Sequence, residues 1–288
     1  MCTTQIPLQS LGMALSPSYS SFTAVGSSWA TASTSHPSIL GMQTSGLSLP
    51  NAGMYPSNRT CVPLIVGQLI PLYAHRILTV IPDYRLFPNV VYPGPVEDVR
   101  DAIAWFLANS STVASASPST IPASTPLSSI FVLSHSAGTN HLATLYLSPT
   151  LLPLDSPVRA ATRGLVPQGS AYYFDLARQD LLPPGILDGY YASPETAAAN
   201  MPLALLKDAS AELLQGLPEL FVMKSEREPP VIFAGSDVFV AALEERLGKK
   251  VQYEVMKGHN HISPHWALMS GEGEEWAEDV AAWVKARV

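Results

Sequence analysis

The chain has 288 residues and a formal net charge of −7, and only 14% of its residues are charged. This length suits one large α/β domain or two small ones. A weakly charged, acidic chain of this kind argues against nucleic-acid binding. Its longest apolar runs contain prolines and are too short to span a bilayer, so stable membrane insertion is not expected.

The first part of the chain has an unusual composition. Residues 1–58 contain no Asp, Glu, Lys or Arg and are rich in Ser, Thr, Gly and Pro. A stable domain needs a polar exterior, so we expect this segment to be poorly ordered. It also lacks the basic and apolar regions of a secretory signal, and Cys2 and Cys61 do not imply a disulfide framework. Together these features favour a cytoplasmic protein.

Strands and helices alternate along residues 59–288. Strands are predicted at residues 76–81, 130–133, 220–223 and 251–256, and helices at 95–107, 141–147, 238–247 and 274–288. A Ser/Thr-rich stretch at residues 109–129 is predicted to be a surface loop inserted before the second strand. This order predicts an α/β fold in which helices cover both faces of a mostly parallel sheet.

The most informative motif is Ser134-His-Ser-Ala-Gly138, which follows the apolar run 130–133. Small residues between a strand and a helix predict a sharp turn with Ser136 at its apex. Such a turn places a serine nucleophile at the carboxyl end of a sheet, beside the N–H groups that stabilise an oxyanion. Ser134 stands where the pattern Gly-x-Ser-x-Gly has its first glycine, so the match is partial.

Other segments complete a family pattern. Ile81-Pro-Asp-Tyr-Arg-Leu-Phe-Pro88, then Tyr92-Pro93 and Asp98, precede the serine motif. With that motif, the chain resembles the α/β-hydrolase superfamily, in the esterase/lipase branch of hormone-sensitive-lipase-like, kynurenine-formamidase-like and feruloyl-esterase-like enzymes. Residues 258–263 and 270–276 resemble a fungal-type subgroup of that branch. The resemblance covers about residues 62–288 and implies a Ser-acid-His triad that cleaves small-molecule esters or amides.

The resemblance places the general base after the last long strand. Both His259 and His261 lie there, and the family histidine sits three residues after a glycine, as His261 does after Gly258. We therefore expect His261 to be the base and His259 to be a rim or hydrogen-bonding residue. His265 is predicted to be structural, and His135 to pack beside the nucleophile.

The acid is expected after the strand at residues 220–223. Glu228 occupies the position that the resemblance assigns to the acid, where the usual residue is an aspartate. Glu226 is a near alternative. Asp237 is a third candidate, because it follows the strand-like run 231–235, although it could simply cap the helix at 238–247.

The oxyanion hole departs from the family pattern. One donor is expected to be the backbone N–H of Ala137, but the usual His-Gly-Gly-Gly-like loop is missing, and its nearest mimic is at residues 25–29. The sequence thus favours a serine hydrolase of small carboxylic esters, or of N-formyl or aryl amides. The alternative is a catalytically impaired hydrolase fold that serves as a binding module or reflects a damaged amino-terminal coding region.

No cofactor is implied by the sequence. Glu272, Glu274 and Glu275 resemble a metal cluster only superficially, because no histidine accompanies them at ligand spacing. We therefore predict a hydrolase that works without a metal ion.

Overall fold

The computed structural model describes residue 77 and residues 80–116, 129–174, 185–268 and 270–288. The segment 1–58, which includes the Gly/Ser-rich residues 25–29, lies outside these ranges, as do residues 76, 78 and 79 of the predicted strand at 76–81. Within them, no helix is long and apolar enough to cross a membrane. In the same ranges, no group of three or more His, Cys, Asp or Glu side chains is arranged to hold a metal ion.

A four-stranded parallel sheet organises the described part of the chain. Its strands are β1 (Ile130–His135), β2 (Thr162–Gln168), β3 (Glu219–Arg227) and β4 (Gln252–Asn260), and they lie in the order β1-β2-β3-β4. The register pairs His135 with Gln168, so the carboxyl ends of β1 and β2 lie side by side. Gln168 also pairs with Met223 of β3, which runs in the same direction and continues to Arg227. Residues that follow these strands therefore gather at one edge of the sheet.

Helices connect and cover the strands. They are α1 (Gly94–Ala116), α2 (Ala137–Leu147), α3 (Pro157–Ala161), α4 (Ile186–Tyr191), α5 (Pro194–Asn200), α6 (Pro202–Asp208), α7 (Ala211–Gln215), α8 (Pro230–Leu247), α9 (Ser263–Ala267) and α10 (Glu275–Lys285). Among the described residues, α4 to α7 lie in the connection between β2 and β3.

The core lies on both faces of the sheet, as alternate side chains of β2 show. Leu165 packs with Leu145 and Tyr146 of α2 on one face, and Val166 packs with Trp283 of α10 on the other. All five side chains are at most 5% exposed. Full burial of such a side chain contributes about 1.5–3 kcal/mol, so both layers stabilise the sheet that carries the site. This is the two-faced α/β arrangement that the alternating pattern predicts.

Three features of the fold differ from the sequence-based expectations. β2 was not predicted, because its run is short and contains Pro167, which normally argues against an internal strand. The run 231–235 is helical rather than strand-like, since Pro230 begins α8 and an apolar run of five residues fits either structure. Helix α1 extends beyond residue 107 through a kink at Asn109, so the predicted loop at 109–129 is helical up to Ala116.

Candidate active site

Ser136 forms the sharp turn between β1 and α2. Its backbone has φ 55° and ψ −121°, a conformation that non-glycine residues rarely adopt. Hydrogen bonds on both sides hold this strained residue: its N–H donates to the carbonyl of Gln168 at 3.0 Å, and its carbonyl accepts from Thr139 N at 3.0 Å. The turn therefore fixes the Ser136 hydroxyl at the carboxyl edge of the sheet.

Ser134 replaces the usual first glycine of the turn without breaking it. The Thr139 hydroxyl donates to the carbonyl of Gln168 at 3.0 Å, and it accepts from the N–H of Gln168 at 3.2 Å. Because the proton of Thr139 is used in this way, Ser134 Oγ donates to Thr139 Oγ1 across 3.0 Å. Ser134, at the end of β1, is thus hydrogen-bonded to Thr139 of α2, and Thr139 is in turn hydrogen-bonded to Gln168 of β2.

His261 lies one residue beyond β4 and reaches the serine. Its Nε2 is 2.9 Å from Ser136 Oγ. His259 points elsewhere, with Nδ1 3.0 Å from Ser263 Oγ and Nε2 2.9 Å from the carbonyl of Gly273. His265, which we predicted to be structural, is in α9, and its ring contacts those of His135 and Trp276.

Glu228 completes a chain of hydrogen bonds. Its Oε2 is 2.6 Å from His261 Nδ1, and its Oε1 accepts the N–H of Ser225 at 3.1 Å. The Glu228 side chain is fully buried. An ionised carboxylate can only accept, so Nδ1 of a neutral His261 carries the proton and its Nε2 accepts from the Ser136 hydroxyl. A base in this tautomer is ready to take the serine proton.

The two alternative acids make other contacts. Glu226 is exposed, and its carboxylate binds Lys257 Nζ at 3.3 Å and the N–H of Gly258 at 3.0 Å. Asp237 lies within α8, where its Oδ1 contacts Lys224 Nζ at 2.5 Å and Tyr253 Oη at 2.8 Å. Of the three candidates, Glu228 is the one whose carboxylate reaches His261. Asp237 is therefore not the helix cap that we considered.

Gly169 explains how a glutamate fits this position, and the sequence did not reveal it. It follows β2 with φ +47°, and a Cβ atom there would lie 2.5 Å from Glu228 Oε1 and 3.5 Å from His261 Nδ1. The missing side chain leaves room for the longer acid. The sequence signal for Gly169 was a glycine shortly after the apolar run Leu165-Val166. It was not used, because β2 itself was not recognised as a strand.

We expect the substitution Gly169→Ala to lower kcat about 10- to 100-fold, because the added methyl group displaces Glu228 from His261. It should also cost about 1–2 kcal/mol of stability, since alanine disfavours a positive φ. Gly248→Ala is the matched control: Gly248 has φ +64° and no atom within 4 Å of an added Cβ. Steady-state kinetics and chemical unfolding of both variants test this, and equal kcat values would contradict it.

Two buried histidines that are not part of the Glu228–His261–Ser136 hydrogen bonds should make the free energy of unfolding depend on pH. Burial lowers the pKa of His141 to about 4, and burial with the neighbouring His261 and His259 lowers the pKa of His265 to about 4. The ordinary pKa is about 6.5, so the unfolded chain binds more protons between these values. Each histidine therefore removes about 1.4 kcal/mol of stability per pH unit as pH falls from about 6.5 towards 4.

Denaturant unfolding measured between pH 7 and pH 4 checks this pH dependence. We expect the free energy of unfolding to fall with pH, and to fall less steeply in His265→Phe, which keeps an aromatic ring but cannot be protonated. The comparison with wild type removes the contribution of carboxyl groups that titrate in the same range. An identical slope in the two proteins would show that His265 does not contribute to the pH dependence.

Ala137, the residue whose N–H is predicted to be an oxyanion donor, lies at the amino end of α2. It is the first residue of α2, directly after Ser136, and N–H groups in a first helical turn have no acceptor within the helix. The positive end of the helix dipole adds to the attraction for an anion there. Residues 25–29, the nearest mimic of the missing glycine-rich loop, lie outside the described residues.

Comparison with known proteins defines the class. A family model described as the alpha/beta hydrolase fold matches residues 73–264, which is about two thirds of the sequence. The parallel sheet and the serine turn at its carboxyl edge agree with that match. The chain belongs to this α/β-hydrolase family. None of the curated proteins matches the sequence.

Solved structures of several esterases share the fold. A fungal esterase from Rhizomucor miehei is 19% identical with a TM-score of 0.54, and the match covers 75% of this chain and 67% of that one. An esterase from the archaeon Pyrobaculum calidifontis is 20% identical with a TM-score of 0.56, covering 77% and 67%. Carboxyl esterase 2 from Tuber melanosporum is 21% identical with a TM-score of 0.50, covering 77% and 72%. The first two matches thus span about two thirds of those proteins.

Proposed function

We propose that this protein is a serine hydrolase that cleaves small carboxylic esters through an acyl-enzyme. The observation that carries the proposal is the continuous chain from Glu228 Oε2 through His261 to Ser136 Oγ, with separations of 2.6 and 2.9 Å. Each residue is buried, and the three follow one another in the order Ser, acid, His. Membership of the hydrolase family and the fold shared with esterases support the same reaction.

Acylation begins when Ser136 Oγ attacks the ester carbonyl carbon and His261 Nε2 takes the hydroxyl proton. The carbonyl oxygen becomes an oxyanion, towards which the N–H of Ala137 donates. The C–O bond to the leaving alcohol then breaks, and His261 gives the proton to that oxygen. The alcohol leaves, and the acyl group stays on Ser136.

Deacylation repeats these steps with water. His261 removes a proton from water as the water oxygen attacks the acyl carbon, then returns a proton to Ser136 Oγ as the carboxylic acid leaves. Glu228 stays ionised throughout. Its carboxylate holds the protonated Nδ1 of His261 and offsets the positive charge that forms on the ring in both steps.

Hydrolysis of p-nitrophenyl esters of increasing acyl length, with a formanilide in parallel, tests the proposal. We expect ester turnover with a burst of p-nitrophenol, because acylation releases this product before the slower hydrolysis of the acyl-enzyme. A higher kcat/KM for the formanilide would move the substrate class to N-formyl or aryl amides. A folded protein that turns over none of these compounds would contradict the proposal and favour a non-catalytic binding role.

A further inference from the structure

His135 is the last residue of β1 and directly precedes Ser136. Its ring is buried, with 5% of the residue exposed, and its Nε2 lies 2.8 Å from the main-chain oxygen of His261. His135, which precedes Ser136, is therefore hydrogen-bonded to the backbone of His261, whose side chain contacts Ser136. These two histidines are 126 residues apart in sequence.

The direction of this hydrogen bond is fixed. A carbonyl oxygen only accepts, so Nε2 of His135 carries the hydrogen. Nδ1 of His135 is buried and has no hydrogen-bond partner among the described residues. Burial and the neighbouring His265 and His261 lower the pKa of His135 well below its ordinary value. The ring is thus neutral, and it brings no positive charge towards the His261 ring, whose centroid is 4.6 Å away.

The backbone of His261 needs such a contact because the sheet no longer holds it. The register between β3 and β4 ends with the pair Arg227 and Asn260, one residue earlier. Beyond that pair, the N–H groups of Ile262 and Ser263 both donate to Asn260 Oδ1 at 2.9 Å. These bonds shape the loop from within, whereas the bond from His135 joins it to β1 and the serine turn.

We propose that His135 is a positioning residue, whose Nε2–H holds the main chain of His261 so that its imidazole stays within hydrogen-bond reach of Ser136. The nucleophile and the loop of its base then share one rigid support, because His135 and Ser136 are consecutive. This inference rests on the proposed function for its effect on catalysis. Glu228 fixes the His261 side chain, and His135 fixes its backbone.

Two substitutions separate the hydrogen bond from the packing. His135→Phe keeps a planar ring but has no donor, and His135→Gln keeps an N–H donor at a similar reach. We expect kcat to fall about 10- to 100-fold in His135→Phe with KM changed little, since a small displacement of a catalytic group has effects of this size. His135→Gln should recover much of the loss. If the phenylalanine variant does not fold, His135→Leu takes its place.

A proton NMR readout makes the test independent of turnover. The Nδ1 proton of His261, bonded to Glu228, should give a far-downfield resonance in wild type and in His135→Gln, identified by its absence in His261→Gln. It should broaden or vanish in His135→Phe. If wild type hydrolyses no ester, the proposed function fails, while this resonance still decides the role of His135. Equal kcat, equal pH profiles and an unchanged resonance in folded His135→Phe would overturn the inference.

Discussion

Replacing Ser136 by alanine should lower kcat for an ester substrate by about 10⁶-fold, the size of effect that follows loss of a serine nucleophile. Ser136→Ala removes the atom that forms the acyl-enzyme, and His261 at 2.9 Å then has no hydroxyl to deprotonate. KM should change little, because the hydroxyl does little to bind the ground state. The measurement is steady-state hydrolysis of p-nitrophenyl acetate, corrected for the uncatalysed rate.

Ser156→Ala is a suitable control for that experiment. Ser156 caps α3, where its hydroxyl accepts the N–H of Val158 at 3.2 Å. Loss of such a cap costs about 1 kcal/mol of stability, so the variant should be less stable but retain the wild-type kcat. If Ser136→Ala kept more than about a hundredth of the activity, Ser136 would not be the nucleophile.

Glu228→Gln should lower kcat by about 10⁴-fold, as neutralising the acid of a serine triad does. An amide can present its NH₂ group to His261 Nδ1 and so favour the tautomer with the proton on Nε2. That tautomer cannot accept the Ser136 proton. The amide also carries no negative charge to offset the imidazolium. The fold should be retained, because glutamine has nearly the same shape.

The two other acids provide controls for Glu228→Gln. Glu226→Gln changes an exposed carboxylate that binds Lys257 and the N–H of Gly258, and Asp237→Asn changes one that binds Lys224. Neither carboxylate contacts His261 in the structure, so each variant should keep kcat within a few fold. If either variant lost more of its kcat than Glu228→Gln, that carboxylate, and not Glu228, would be the acid that acts with His261.

The serine turn was predictable because its pattern is local. An apolar run, small residues and a helix specify the turn at Ser136 within ten residues. The acid was harder to choose from sequence. Glu226 lies near the end of β3, and Glu228 is the first residue after that strand. The contacts that distinguish the two come from Gly258 in β4 and from His261 in the loop that follows it.

Contacts between distant segments explain what the sequence did not reveal. Gly169 makes room for Glu228, and His135 binds the backbone of His261, yet neither pair is close in sequence. The strand β2 escaped prediction because seven residues with a proline give a weak pattern, although β2 is held by neighbours on both sides. Pairing with β1 and β3 stabilises this strand beyond its own propensity.

Labelling with a fluorophosphonate probe tests the central claim most directly, because the probe reports an activated serine whatever the natural substrate. Peptide mapping by mass spectrometry should locate one adduct on Ser136 of the wild-type protein. The adduct should be absent from Ser136→Ala and should form far more slowly in His261→Gln. An adduct on another serine, or none on a wild-type protein shown to be folded, would contradict the assignment of Ser136, His261 and Glu228 as a working triad.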